Sequence, residues 1–172
     1  NQKLQEYLLV DGYNIIFAWG DLYELSKVNI DSARDKLMDI MCNYQGYKKC
    51  ELILVFDAYK VKGNPGSAER YRNIFLVYTR EAQTADAFIE KTTLLARKKA
   101  RVRVITSDRP EQLIALGNEA MRTSAREFRR EVTQVQGSIA EFLQKNNRPG
   151  SERALERLYK EAWKKQREKE PE

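Results

Sequence analysis

Apolar residues along this chain fall into short unbroken runs separated by stretches of helical periodicity. Leu8-Leu9-Val10 runs into Asp11-Gly12, which predicts a buried first strand opening into a turn. Leu52 to Phe56 predicts a second strand, closed by Asp57, and Ile74 to Tyr78 a third. Val102, Val104 and Ile105 predict a fourth, which ends in Thr106-Ser107-Asp108. Between these runs, Ala33, Leu37, Ile40, Met41 and Tyr44 recur at helical spacing behind an Asp31-Ser32 cap candidate, predicting a helix over 31–47. Thr84 is read as the cap of a helix to about Lys99, with Ala85, Phe88, Ile89, Thr92 and Leu95 turned inward. Pro110 opens a short helix closing near Gly117, and residues 124–145 form a longer one that Pro149-Gly150 breaks. Ser151 caps a final helix that frays toward Glu172. Residues 60–72 hold Gly63, Pro65 and Gly66 without apolar periodicity and are read as a loop. Apolar strands alternating with helices predict βαβ units: a Rossmann-like three-layer α/β sandwich with a mainly parallel central sheet, plus C-terminal helices. The expected division is a domain over 1–148 and a basic helix over 149–172 attached to it.

Composition narrows the chemistry. The 172 residues suffice for a core without staples. No apolar run approaches the roughly 18 residues of a membrane helix, and no secretory pattern opens the chain, so a cytoplasmic protein without membrane association is expected. Cys42 and Cys50 form no CxxC pair and are read as reduced thiols. Histidine is absent, which removes Ser-His-Asp and Cys-His catalysis and histidine metal ligation. An enzyme built from this chain works with carboxylates, hydroxyls, Lys, Arg or a hard cation. Charge is uneven: residues 1–96 hold 12 basic and 13 acidic groups, whereas residues 97–172 hold 19 and 12. A basic half fits a polyanion such as nucleic acid; it fits equally a solvated helix surface, since many of the basic groups alternate with Glu.

Three of the four predicted strands end in a carboxylate: Asp11, Asp57 and Asp108. In an open parallel sheet, ligands bind in the crevice outside these strand ends. Asp86 adds a fourth acid in the first turn of the helix after Thr84, with Glu90 one turn on. Carboxylates gathered at one edge repel unless a cation sits among them, and oxygen-only ligation selects Mg²⁺ or Mn²⁺. Each acid also has an ordinary explanation: Asp11 as a turn residue, Asp86 as a complement to the helix dipole, Asp108 as a cap, Glu90 as a solvent-facing side chain. The last is favoured for Glu90.

The segment Leu9-Val10-Asp11-Gly12-Tyr13-Asn14-Ile15-Ile16 resembles the opening motif of the NYN domain, a PIN-like nuclease fold. Val55-Phe56-Asp57-Ala58 resembles its second strand, Thr84-Ala85-Asp86 with Ile89-Glu90-Lys91 its central helix, and Val104 to Asp108 its last acidic strand end. Ser124-Ala125-Arg126-Glu127-Phe128 is similar to the start of the carboxy-terminal helix in the YacP-type branch. The resemblance spans about residues 7–145 and implies a metal-dependent endoribonuclease, similar to ribosome-associated enzymes that cut messenger RNA during translation. Carried over residue by residue, it makes Asp11, Asp86 and Asp108 the metal-binding acids, with Asp57 a fourth through water. It places Asn14 beside Asp11, orienting it or the phosphate, and has Ser107 bond the acids or a phosphate oxygen. The helix acid here is Asp86 where PIN-like domains more often carry Glu, which implies a shorter reach and a single tightly held ion.

The expected reaction is in-line attack of water on the phosphodiester of single-stranded RNA, leaving 5′-phosphate and 3′-hydroxyl ends. Lys60, Lys62, Arg70 and Arg72 are the candidate phosphate contacts. Arg122, Arg126, Arg129 and Arg130 are candidates for RNA or a ribosomal surface, or else a solvated helix face. Tyr13, Trp19 and Tyr59 are candidates for base stacking, with core packing favoured for Trp19. The alternative is a non-catalytic RNA- or ribosome-binding module on the same fold. A haloacid-dehalogenase-type phosphatase ranks low, because its second Asp would fall where Tyr13 stands.

Overall fold

The computed structural model describes residues 5–57, 66–80, 83–108, 120–146 and 149–167. It begins with β1 (Glu6–Asp11), in which Leu8, Leu9 and Val10 are wholly buried. Three helices follow: α1 (Gly12–Ala18), α2 (Gly20–Val28) and α3 (Ile30–Lys48). The first two were not foreseen from the sequence. α3 starts one residue earlier than read, because Asn29 and not Asp31 is its cap: the Asn29 Oδ1 accepts the Asp31 and Ser32 amides at 2.9 and 3.2 Å. Lys49, in the left-handed region at φ 59°, closes it.

Next come β2 (Glu51–Phe56), β3 (Ser67–Tyr71) and β4 (Ile74–Tyr78). The stretch 60–72, read as a loop, is therefore corrected over 67–71, which form a strand. Ser-Ala-Glu-Arg-Tyr lacks apolar alternation because β3 is an edge strand, and its definition comes from antiparallel backbone pairing with β4. Gly66 precedes it at φ 90°, where an added Cβ would fall 2.7 Å from the Arg80 Cγ. α4 (Ala85–Ala96) has the expected Thr84 cap, whose Oγ1 accepts the Ala87 amide at 3.1 Å. β5 (Arg101–Ile105), β6 (Met121–Thr123), α5 (Ala125–Asn146) and α6 (Pro149–Arg167) complete the order. The helix expected from Pro110 to Gly117 lies outside the described residues.

The six strands form one sheet in the order β3-β4-β2-β1-β5-β6, parallel except for β3. This is the expected mainly parallel α/β architecture. Alternation in the strands supplies both faces. On one face Leu9, Val55, Val77 and Val104 pack with Ala85 and Ile89 of α4. The intervening residues, including Leu8, Val10, Leu54 and Ile105, are buried on the other, the side of α3. There Phe128 of α5 is wholly buried against Trp19 and Tyr44, at ring separations of 6.0 and 5.1 Å; burying a side chain of that size contributes about 2–3 kcal/mol.

The chain divides into two compact units, Asn1–Gln134 and Val135–Glu172. In the second, Leu155, Leu158, Tyr159 and Trp163 of α6 recur at helical spacing and are exposed. Both cysteines are buried free thiols. Among the described residues, no helix is long and apolar enough to cross a membrane.

Candidate active site

The chain adds β2 and β4 on one side of β1 and then returns to add β5 and β6 on the other. That reversal opens a crevice between the carboxyl ends of β1 and β5. Val10 pairs with Ile105, so the next residues, Asp11 and Thr106, face one another across it. Asp11 also pairs with Val55, which puts Asp57 two residues further out along the same edge. Asp86, in the first turn of α4, and Asp108, two residues beyond Thr106, complete the group.

Asp11 is 9% exposed. Burial is the main cause that pushes its carboxyl up to about 6, and the charges of Asp86 and Asp108 push in the same direction. The Asn14 backbone amide and the Thr106 hydroxyl oppose the rise, although Asp11 makes no capping hydrogen bond to α1. Asp86 is raised as well, first by burial and then by Asp108 and Asp57. All four predicted acids thus belong to one electrostatic group at one sheet edge. Glu90 is exposed on α4. The donors are all carboxylate oxygen and carry mutually repelling charge, which suits a hard divalent cation by chemistry. No three Asp, Glu or Cys side chains among the described residues meet as a ready-made metal cage.

A hydrogen-bonded strut fixes the two walls of the crevice. Thr106 Oγ1 donates to Asp11 Oδ2 at 3.3 Å and accepts the Asp108 amide at 3.0 Å. Asn14 Oδ1 accepts the Ser107 amide at 2.8 Å, tying the first turn of α1 to the end of β5. Ser107 Oγ in turn accepts the amide of Ala125, the first residue of α5, at 3.0 Å. Asn14 Oδ1 and Ser107 Oγ thus each hold a backbone amide at this edge, whereas the resemblance implied that Asn14 orients Asp11 or the phosphate and that Ser107 bonds the acids or a phosphate oxygen. Thr106 was missed as a functional candidate; its only signal was a hydroxyl residue at the inward position just past an apolar strand. Gly12 lets α1 begin directly after Asp11, since a Cβ there would run into the Phe56 ring.

Tyr13 is buried, its ring 5.1 Å from that of Phe56 and its hydroxyl accepting from Arg34 at 3.1 Å. It offers no free face for a base. Arg34, buried and also paired with Asp31, is a second residue the sequence did not single out. Trp19 is core: its Nε1 donates to the Ala125 carbonyl at 2.8 Å.

The basic candidates separate. Arg70 lies over the Phe75 ring, with which it is in register, and Arg72 pairs with Asp39 at 3.2 Å. Both therefore sit near the start of β4, at the opposite edge of the sheet from the acids and about 13 Å away along the strand direction. Arg126 is exposed in the first turn of α5, on the acidic edge, where Ser107 bonds Ala125. It lines a cavity of about 440 Å³ with Trp19, Asp21 and Arg129. Arg129 pairs with Asp21 at 3.0 Å and lies over Trp19, Arg122 is exposed on β6, and Arg130 is exposed on α5. Lys60, Lys62 and Tyr59 lie outside the described residues.

Comparison with known proteins adds an independent line. Residues 8–168 match the model of the YacP-like NYN domain. The YacP protein of Bacillus subtilis is 39% identical over 153 residues, covering 87% of this chain and 89% of its own. The crystal structure of Rae1 (YacP) from Bacillus subtilis matches at 36% identity with a TM-score of 0.71, covering 95% of both chains. A tryptophan-to-leucine mutant of Rae1 matches at 36% identity and a TM-score of 0.69 over 81% of each. This chain belongs to the YacP-like NYN-domain family, a family of nuclease type.

Proposed function

We propose that the protein is a metal-dependent endoribonuclease that cuts single-stranded RNA, with messenger RNA on the translating ribosome as its setting. The observation that carries this is the four-aspartate group at the β1–β5 crevice, in which Asp11 and Asp86 each feel two other acids. The basic half of the chain, net +7 over residues 97–172, supports a polyanionic partner.

Asp11, Asp86 and Asp108 would hold a Mg²⁺ or Mn²⁺ ion, with Asp57 reaching it through water. When bound, such an ion supplies an activated water and neutralises charge at phosphorus. The chain's own part is orientation. Thr106 fixes Asp11 Oδ2, and the Asn14–Ser107 bond holds the β5 wall against α1. Water attacks phosphorus in line, a carboxylate oxygen of the group takes its proton, and the bond from phosphorus to the 3′ oxygen breaks. The products are a 5′-phosphate and a 3′-hydroxyl that has gained a proton. Arg126 stands at the same edge to hold a neighbouring phosphate.

The test is incubation of unstructured RNA with Mn²⁺, with Mg²⁺ and with EDTA, for the wild type and Asp11→Asn. Cleavage by the wild type with either ion, abolished by EDTA and by the substitution while binding persists, supports the assignment. Binding without cleavage under every condition favours the non-catalytic module instead.

A further inference from the structure

We infer that the groove between α4 and the β3–β4 hairpin is a subsite for an unpaired nucleotide of the RNA, flanking the phosphate at the acids. This rests on the nuclease reading above and adds a second binding element to it. The groove has a volume of about 810 Å³, within the range of ligand-binding clefts. Its floor is Val77 and its helix wall carries Phe88, Lys91, Thr92 and Leu95. These four recur at helical spacing and form one flank of α4; Asp86 lies on the other flank.

Its position links it to the acids. Thr79, at the head of the groove, donates its amide to the Phe56 carbonyl at 3.0 Å, so the groove opens beside Asp57 at the same sheet edge. Arg80 also stands at this head, its stem packed where Gly66 at φ 90° has no Cβ to obstruct it. An apolar surface with an aromatic ring, flanked by two cations, is complementary to a base and the phosphates on either side of it. Recognition by stacking and charge accepts any base and requires that it be unpaired, because a base inside a duplex exposes no face.

The experiment uses the full chain carrying Asp11→Asn and a short, unstructured, fluorescein-labelled oligoribonucleotide, with binding read by anisotropy over a salt series. Lys91→Gln should raise Kd about fivefold and flatten the slope of log Kd against log salt by about one. Phe88→Leu, which keeps the side chain apolar, should raise Kd about tenfold. An abasic oligonucleotide of the same length should abolish the Phe88 effect and keep the Lys91 effect. In the chain with Asp11 restored, the same two substitutions should raise KM for cleavage with kcat little changed. If the parent binds RNA while both substitutions leave Kd and the salt slope unaltered, the subsite is overturned, whether or not the enzyme cleaves. If the substitutions act as stated and no cleavage occurs, the subsite stands and the nuclease assignment falls.

Discussion

Thr106 and Asp11 share a hydrogen bond, hydroxyl to Oδ2 at 3.3 Å, across the crevice where the sheet reverses its strand order. The same oxygen of Thr106 accepts the Asp108 amide, so one buried hydroxyl orients two of the four acids. Thr106→Val keeps the shape and removes both bonds. The unpaired groups left behind should cost about 1–3 kcal/mol, measured by urea unfolding. Because the Thr106 bond lowers the Asp11 pKa, its loss should also move the acidic limb of the pH–rate profile to higher pH.

Asp11 itself sets a pH dependence of stability in EDTA. Its carboxyl titrates near 3.8 in the unfolded chain and about 6 in the folded one. The folded state thus holds the proton more tightly, and the resulting stabilisation is present below about pH 4 and lost as pH rises through about 6. The difference amounts to about 3 kcal/mol. Asp11→Asn lacks this loss: it should be more stable than the wild type by up to that amount at pH 8, with the gap closing toward pH 4. Thermal melts of both proteins at pH 4, 6 and 8 measure it; a gap that does not change with pH would contradict the assignment.

Gly12 and Phe56 form a steric pair. Gly12→Ala drives a methyl group into the ring and should destabilise by about 1–3 kcal/mol. Replacing the ring with the smaller Leu in the double variant Gly12→Ala/Phe56→Leu should recover part of that loss. A double-mutant cycle by chemical denaturation gives the coupling, which independent sites would lack.

Asn14→Ala removes the acceptor of the Ser107 amide. Ser107 is exposed, so water can replace the partner, and stability should fall by only about 0.5–1.5 kcal/mol. The β5 wall loses its anchor to α1, and a misplacement of this kind lowers kcat by up to about a hundredfold. RNA binding should stay near the parent value, so kinetics and anisotropy on one preparation separate the two effects.

The central strands were legible because burial on both faces demands continuous apolar runs, as at Leu8-Leu9-Val10 and Leu52 to Phe56. Their terminal aspartates were legible because parallel topology sends every strand end to one edge. α1 and α2 were not, since the first helix starts on a glycine immediately after the strand and carries no capping bond. β3 escaped because an edge strand draws its definition from a neighbour's backbone. The displacement of Arg70 and Arg72 to the far edge follows from that same hairpin, which reverses the chain. Arg34 and Thr106 stayed hidden for a different reason. A buried polar side chain is explained by its partners, here Tyr13 and Asp11, and those partners lie 21 and 95 positions away in sequence.

The reversal of strand order also has a consequence in time. Asp11 leaves the ribosome 95 residues ahead of Thr106, the start of its counterpart wall. A growing or truncated polypeptide that stops before β5 carries one half of the pocket and nothing to close it against. The hydrolytic centre proposed for this fold is thereby withheld until β5 has followed β1 out, with no inhibitor needed to keep it silent.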